Sequence, residues 1–265
     1  MEAPNGSTGV PSASGRPDEG IPFVDGVRHR FVDLAGLRVH VAEAGPAEET
    51  GSAGGLPSPL VLLHGFPQHW WSWRKIIGDL ARQRRVLAVD LRGAGWTDAP
   101  AEGFTEEQLV ADVVGVLDAL GLDRVDLAGL DTGGLLGYRV CLSHPGRVRR
   151  FVVLAAPHPW PKPSLPVLVR AWRMWASFVA ASPWLGPRLL GVGRQPIARR
   201  MLLADSPGDG SWSDEDLEVY LGRLRDPARA RAASALYRSL VLDGARRGVT
   251  GAYRGIRLVT PTLAI

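Results

Sequence analysis

Cysteine is nearly absent: Cys141 is the single one in 265 residues, so no disulfide forms within the chain. Such usage fits a reducing compartment, and Cys141 itself, in the apolar stretch 135–142, reads as a buried inert thiol. Lysine is almost as scarce. Lys75 and Lys162 are the only two, so the net charge of +4 and the pI of about 9.7 rest on arginine. Pairs such as Arg84-Arg85, Arg149-Arg150 and Arg199-Arg200 are scattered, and without a long basic run no nucleic-acid surface is expected. No apolar run reaches the roughly 18 residues that a membrane span requires. Residues 1–20 lack a basic segment leading into an apolar one, so no signal peptide is evident and a cytoplasmic location is expected.

What is present is the balance of a soluble globular domain, 45% hydrophobic and 22% charged. Residues 1–27 are rich in Gly, Ser and Pro and predict a flexible tail, because they cannot bury enough surface to offset their ordering entropy. A second polar stretch, 46–59, predicts an exposed loop. Between them, 30–34 and 38–42 alternate apolar and polar residues around Gly36, as a hairpin does. Three short apolar runs follow, each ahead of a helical pattern: 60–63 before 71–82, 86–89 before 105–120, and 125–130 before 132–143. A fourth run, 151–156, ends at Pro157. Continuous apolar runs alternating with helices predict an α/β fold, a doubly wound and mostly parallel sheet. The expected organisation is a core over 28–157, a helical cap over 158–255, and a returning core strand begun by 256–265.

The most informative residues are Leu127-Ala128-Gly129-Leu130-Asp131-Thr132-Gly133-Gly134, at the end of one predicted strand and the start of the next helix. A strand–turn–helix elbow strains its central residue and needs small residues two positions to either side; Gly129 and Gly133 supply them. The G-x-S-x-G form of this motif centres a serine, and here the centre is Asp131. A carboxylate there is suited to displacement at an sp³ carbon, leaving an ester on the protein. Asp is also a favoured helix cap; the order of strands and the next motif favour the nucleophile.

That next motif, His64-Gly65-Phe66-Pro67, directly follows the 60–63 run. Its loop suits the Phe66 amide to donate to a developing oxyanion, with the Thr132 amide as second donor. His64 reads as a hydrogen-bonding structural residue rather than a base. Of Trp70, Trp71 and Trp73, two are expected in the core; Trp70 and Pro67 are the candidates to line an apolar substrate cavity.

With these residues in place, the sequence resembles the epoxide-hydrolase branch of the α/β-hydrolase superfamily. The matching stretches are His64 to Trp70, Asp90-Leu91-Arg92-Gly93-Ala94-Gly95-Trp96-Thr97-Asp98, Gly129 to Gly134, and Ala155-Ala156-Pro157-His158-Pro159-Trp160. The resemblance implies the α/β-hydrolase fold, a small apolar organic substrate, and a hydrolase needing neither metal nor organic cofactor. It also implies an acid on the cap, where paired tyrosines protonate the epoxide oxygen. Ala235-Leu236-Tyr237-Arg238 is similar to the second, making Tyr237 the candidate, with Tyr220 a lesser one. Near 175–178, where the first would stand, there is no tyrosine, and Ala176 is expected at its site. A phenol suits donation to an alkoxide.

Two departures bear on the chemistry. Leu130 and Thr132 flank Asp131 where the family often has His and Trp, and losing that tryptophan counts against haloalkane dehalogenation. The family's relay acid and histidine follow strands beyond this sequence, and all six histidines lie at or before His158. The expectation is an incomplete site that forms the ester and turns over poorly. A dehalogenase, or a non-catalytic protein that keeps the cavity, are the competing readings.

Overall fold

A computed structural model of the protein describes residues 20–46, 57–158, 175–204, 212–251 and 255–265. The tail predicted over 1–27 lies outside them up to residue 19; its last residues run directly into the first strand.

Strands β1 (Val27–Leu34) and β2 (Leu37–Ala44) form the expected hairpin, turning through Gly36 at φ +77°, a conformation glycine reaches without steric penalty. Strands β3 (Leu60–Leu63), β4 (Val86–Val89), β5 (Val125–Leu130), β6 (Val148–Leu154) and β7 (Thr262–Ala264) complete one sheet in the order β1-β2-β4-β3-β5-β6-β7. β1, β2 and β4 pair antiparallel, and β4, β3, β5, β6 and β7 pair parallel. Strands β3 and β4 are apolar throughout because both faces are covered; β5 carries one buried charge, Asp126, paired with Arg84 at 2.8 Å. Helix α2 (Glu106–Ala119) contributes Leu109, Val113 and Val116 to the same core cluster as Val61, Leu87 and Leu127. Its start was legible: Thr105 accepts from the Gln108 amide at 3.2 Å, and Glu106 and Glu107 sit in the first turn against the helix dipole.

Two elements differ from expectation. The helix predicted over 71–82 is a 3₁₀ turn, Trp70–Trp73, followed by a short helix α1 (Ile77–Ala81). A tertiary contact overrides the pattern, since the Trp70 amide donates to Asp90 Oδ1 at 2.7 Å. The strand predicted from 256 shrinks to Thr262–Ala264, because Pro261 has no amide to pair; its carbonyl instead accepts from Phe151 N at 2.9 Å.

Of the cap expected over 158–255, residues 159–174, 205–211 and 252–254 lie outside the described residues; the rest form a layer of short helices with its own core. Helices α4 (Trp175–Ala181), α5 (Leu185–Gly191), α6 (Pro196–Leu203), α7 (Asp214–Leu224) and α8 (Pro227–Tyr237) bury Ala180, Leu190, Ile197, Tyr220 and Leu221 together. A π-helical turn, Arg238–Asp243, and helix α9 (Gly244–Thr250) follow. Phe66, from the loop after β3, belongs to that cap cluster, so the layer sits over the C-terminal ends of the parallel strands. None of the described helices is long and apolar enough to cross a membrane.

Helix α3 (Thr132–Ser143) packs close on the sheet because its first turn carries no side-chain bulk. A Cβ added at Gly133 would meet the Leu63 and His64 carbonyl oxygens at 2.4 and 2.5 Å, and one at Gly129 would meet the Gly133 carbonyl oxygen at 2.5 Å. These obstacles are backbone and cannot rotate away. Gly133→Ala is therefore expected to destabilise by about 3 kcal/mol or more, at the upper end of overpacking costs. Chemical denaturation checks it, against Gly78→Ala, whose added methyl meets nothing within 4 Å.

Candidate functional site

Asp131 stands between β5 and α3 with φ +49° and ψ −116°, a conformation unusual for a residue with a Cβ. The backbone holds it there: its amide donates to the Leu154 carbonyl at 2.9 Å, and its own carbonyl accepts from Leu135 N at 3.0 Å. Its side chain makes no capping bond to α3. Instead Oδ2 accepts from the Phe66 amide at 2.9 Å. The Gly65 backbone passes so near that an added Cβ would lie 3.0 Å from Asp131 Cβ. The two sequence motifs, 65 residues apart, thus meet in one contact.

That contact opens on a cavity of about 480 Å³ between the strand ends and the cap, lined among others by Asp131, Phe66, Gln68, Ser72, Trp212 and Tyr220. Thr132 is buried at the start of α3, where first-turn amides have no partner within the helix. Tyr237 packs against Phe66, ring centroids 4.4 Å apart, and its hydroxyl donates to Ser177 Oγ at 2.8 Å; Tyr220, not Tyr237, is among the residues lining the Asp131 cavity. Burial raises its phenol pKa most; the Ser177 bond offsets part of this, and the charge of Asp131 adds to it. Tyr220 is also buried, its hydroxyl 3.5 Å from Ser72 Oγ, and burial pushes its pKa up to about 12.

The substrate-wall candidates are elsewhere. Trp70 is fully buried in the core, its ring 4.8 Å edge-on to His29, and it does not line the Asp131 cavity. Its bulk made it a wall candidate, and the same bulk, with its amide tied to Asp90, draws it inward. Pro67 lines a separate pocket of about 30 Å³ beside Arg229 and Leu236. The walls are drawn instead from Gln68, Ser72, Trp212 and Tyr220. Tyr220 sits on α7 with Leu217, Leu221 and Leu224, a spacing that reads as packing alone. Ala176 is buried in the same cluster as Tyr237, and the next residue, Ser177, hydrogen-bonds the Tyr237 hydroxyl.

His64 is committed at both ring nitrogens. Nε2 accepts from the Leu91 amide at 3.0 Å, which leaves Nδ1 as the donor to the Gly65 carbonyl at 2.9 Å. Burial lowers its pKa, so it stays neutral and shapes the loop that carries Phe66. The Asp90–Asp98 stretch is held by its own hydrogen bonds: Asp90 accepts from Trp70 N, Trp96 N and His40 Nδ1 at 2.7, 3.0 and 2.7 Å. No group of His, Cys, Asp or Glu suited to a metal occurs among the described residues.

A mostly parallel sheet in this order, a strand–turn–helix elbow after β5 and a helical layer over the strand ends define an α/β-hydrolase-fold protein. Residues 58–180 match the family model described as alpha/beta hydrolase fold. Within that class its sequence is similar to epoxide hydrolases. It is 38% identical over 223 residues to epoxide hydrolase 4 of Mus musculus and 30% identical over 223 residues to that of Homo sapiens. These matches take in 80% of this chain and 60% and 59% of the two relatives, so the chain spans about three-fifths of their length. The crystal structure of an epoxide hydrolase from Vigna radiata superposes with a TM-score of 0.71 at 28% identity, covering 91% of this chain and 79% of that one.

Proposed function

We propose that the protein acts on small organic epoxides, with Asp131 as nucleophile. The observation that carries this reading is the Asp131 carboxylate facing a 480 Å³ cavity, with one oxygen on the Phe66 amide and none capping its helix. In the first step an Asp131 oxygen attacks a ring carbon and the C–O bond of the epoxide breaks. Its electron pair takes the phenolic proton of Tyr237, leaving a hydroxyalkyl ester and a phenolate. In the second step water attacks the ester carbonyl, and the Phe66 and Thr132 amides receive the oxyanion.

That second step needs a base. His64 is unavailable, since Nδ1 carries its proton to Gly65 O and Nε2 already accepts from Leu91 N. Without a general base such a step typically slows about 10²–10⁴-fold, so the ester is the intermediate to trap. Incubation with an aryl epoxide followed by intact-mass measurement tests it. One alkali-labile equivalent per chain is the expected result; an unmodified protein overturns the reading.

A further inference from the structure

We infer that Ser177 positions and supports the acid through the hydrogen bond between their hydroxyls. The inference rests on the reading of Tyr237 as proton donor. Helices α4 and α8 are pinned together by hydrogen bonds that fix which residue of α4 faces the phenol. Ser234 Oγ shares its one proton between the Ala180 carbonyl at 2.7 Å and that of Ser182 at 3.1 Å, while Arg238 Nη1 donates to the Ala181 carbonyl at 3.0 Å. One turn earlier on α4, that register sets Ser177 Oγ 2.8 Å from the Tyr237 hydroxyl. Ser177 is the side chain that bonds this phenol among the described residues.

The chemistry follows from which group holds the proton at each stage. Before reaction the phenol donates to Ser177, which fixes the direction of its hydroxyl beside the Phe66 ring. When Tyr237 gives its proton to the opened oxygen, it becomes a phenolate in a site that disfavours charge by burial. Ser177 then rotates its own O–H toward that oxygen and donates, keeping its proton throughout. A hydrogen bond to an ionised group is worth more than one to a neutral group. The reaction also removes an opposing field: Asp131 loses its charge on becoming an ester as Tyr237 gains one. The charge acting on the phenol is that of Asp131 on the elbow; Arg238, next in sequence, holds its guanidinium on Ala181 O, and α4 itself carries no titratable side chain.

The test follows ester formation by intact mass against pH in wild type, Ser177→Ala, Ser177→Thr and Tyr237→Phe. Ser177→Ala is expected to slow alkylation about tenfold or more. It also moves the high-pH limb, where the phenol loses its proton, upward by about one unit, because the phenolate has lost its donor. Ser177→Thr retains the hydroxyl and most of the rate. A slower Ser177→Ala with the limb unmoved denotes packing loss and overturns the inference. So does an unchanged Ser177→Ala beside a slow Tyr237→Phe, which leaves the acid assignment standing. A Tyr237→Phe as fast as wild type removes the acid assignment and the inference with it.

Discussion

Asp131→Asn is expected to slow ester formation by roughly 10⁴-fold or more while leaving the fold intact, the scale on which losing a nucleophile acts. The substitution is isosteric. The asparagine Oδ1 still accepts from the Phe66 amide, the contact that Asp131 Oδ2 makes at 2.9 Å. Because Asp131 makes no side-chain cap to α3, no helix-stabilising bond is lost. What disappears is the anionic oxygen that attacks carbon, since a neutral amide is a poor nucleophile. Circular dichroism and denaturation midpoints should match wild type, and the adduct should be absent on the wild-type time scale. A variant that labels equally fast places the chemistry elsewhere.

The second large effect is on stability. Asp90 receives three donors with no exposure to solvent: the Trp70 amide, the Trp96 amide and His40 Nδ1. It ties the loop after β4 to the turn carrying Trp70 and to β2. Its surroundings leave no slack, because a Cβ added at Gly95 would lie 2.0 Å from Asp90 Oδ2. Asp90→Asn keeps the shape but turns an N–H₂ group toward donors. Each buried donor left without an acceptor costs about 1–3 kcal/mol. A total loss of roughly 3 kcal/mol or more is expected, lowering Tm by about 10 °C. Thermal denaturation checks it; a shift under about 2 °C would show that the loop is held by other contacts.

These two aspartates also show what the sequence makes legible. Asp131 is flanked by the glycines its turn requires, and β3, β4, β5 and α3 occupy the residues their apolar runs mark, because strands covered on both faces leave an uninterrupted signal. Phe66 was legible for a similar reason: its donor role depends on backbone position in a loop bound to the end of β3. The far wall of the cavity was not. Ser72, Trp212 and Tyr220 converge on Asp131 only through the docking of the cap on the sheet, and nothing local distinguishes Tyr220 from the leucines around it. Trp70 misled for the opposite reason, since bulk suits a core as well as a cavity and the Asp90 hydrogen bond selects the core. Ser177 left no trace in the sequence, because its importance is fixed by a hydrogen bond to a residue 60 positions away. The short final strand was foreseeable from Pro261 alone.

The account stands on one carboxylate, and peptide mapping of the alkylated chain interrogates it directly. After exposure to an aryl epoxide, tandem mass spectrometry should locate the opened epoxide as an ester on the carboxyl of Asp131. Label found only on another nucleophile, such as the half-buried imidazole of His144, would contradict it.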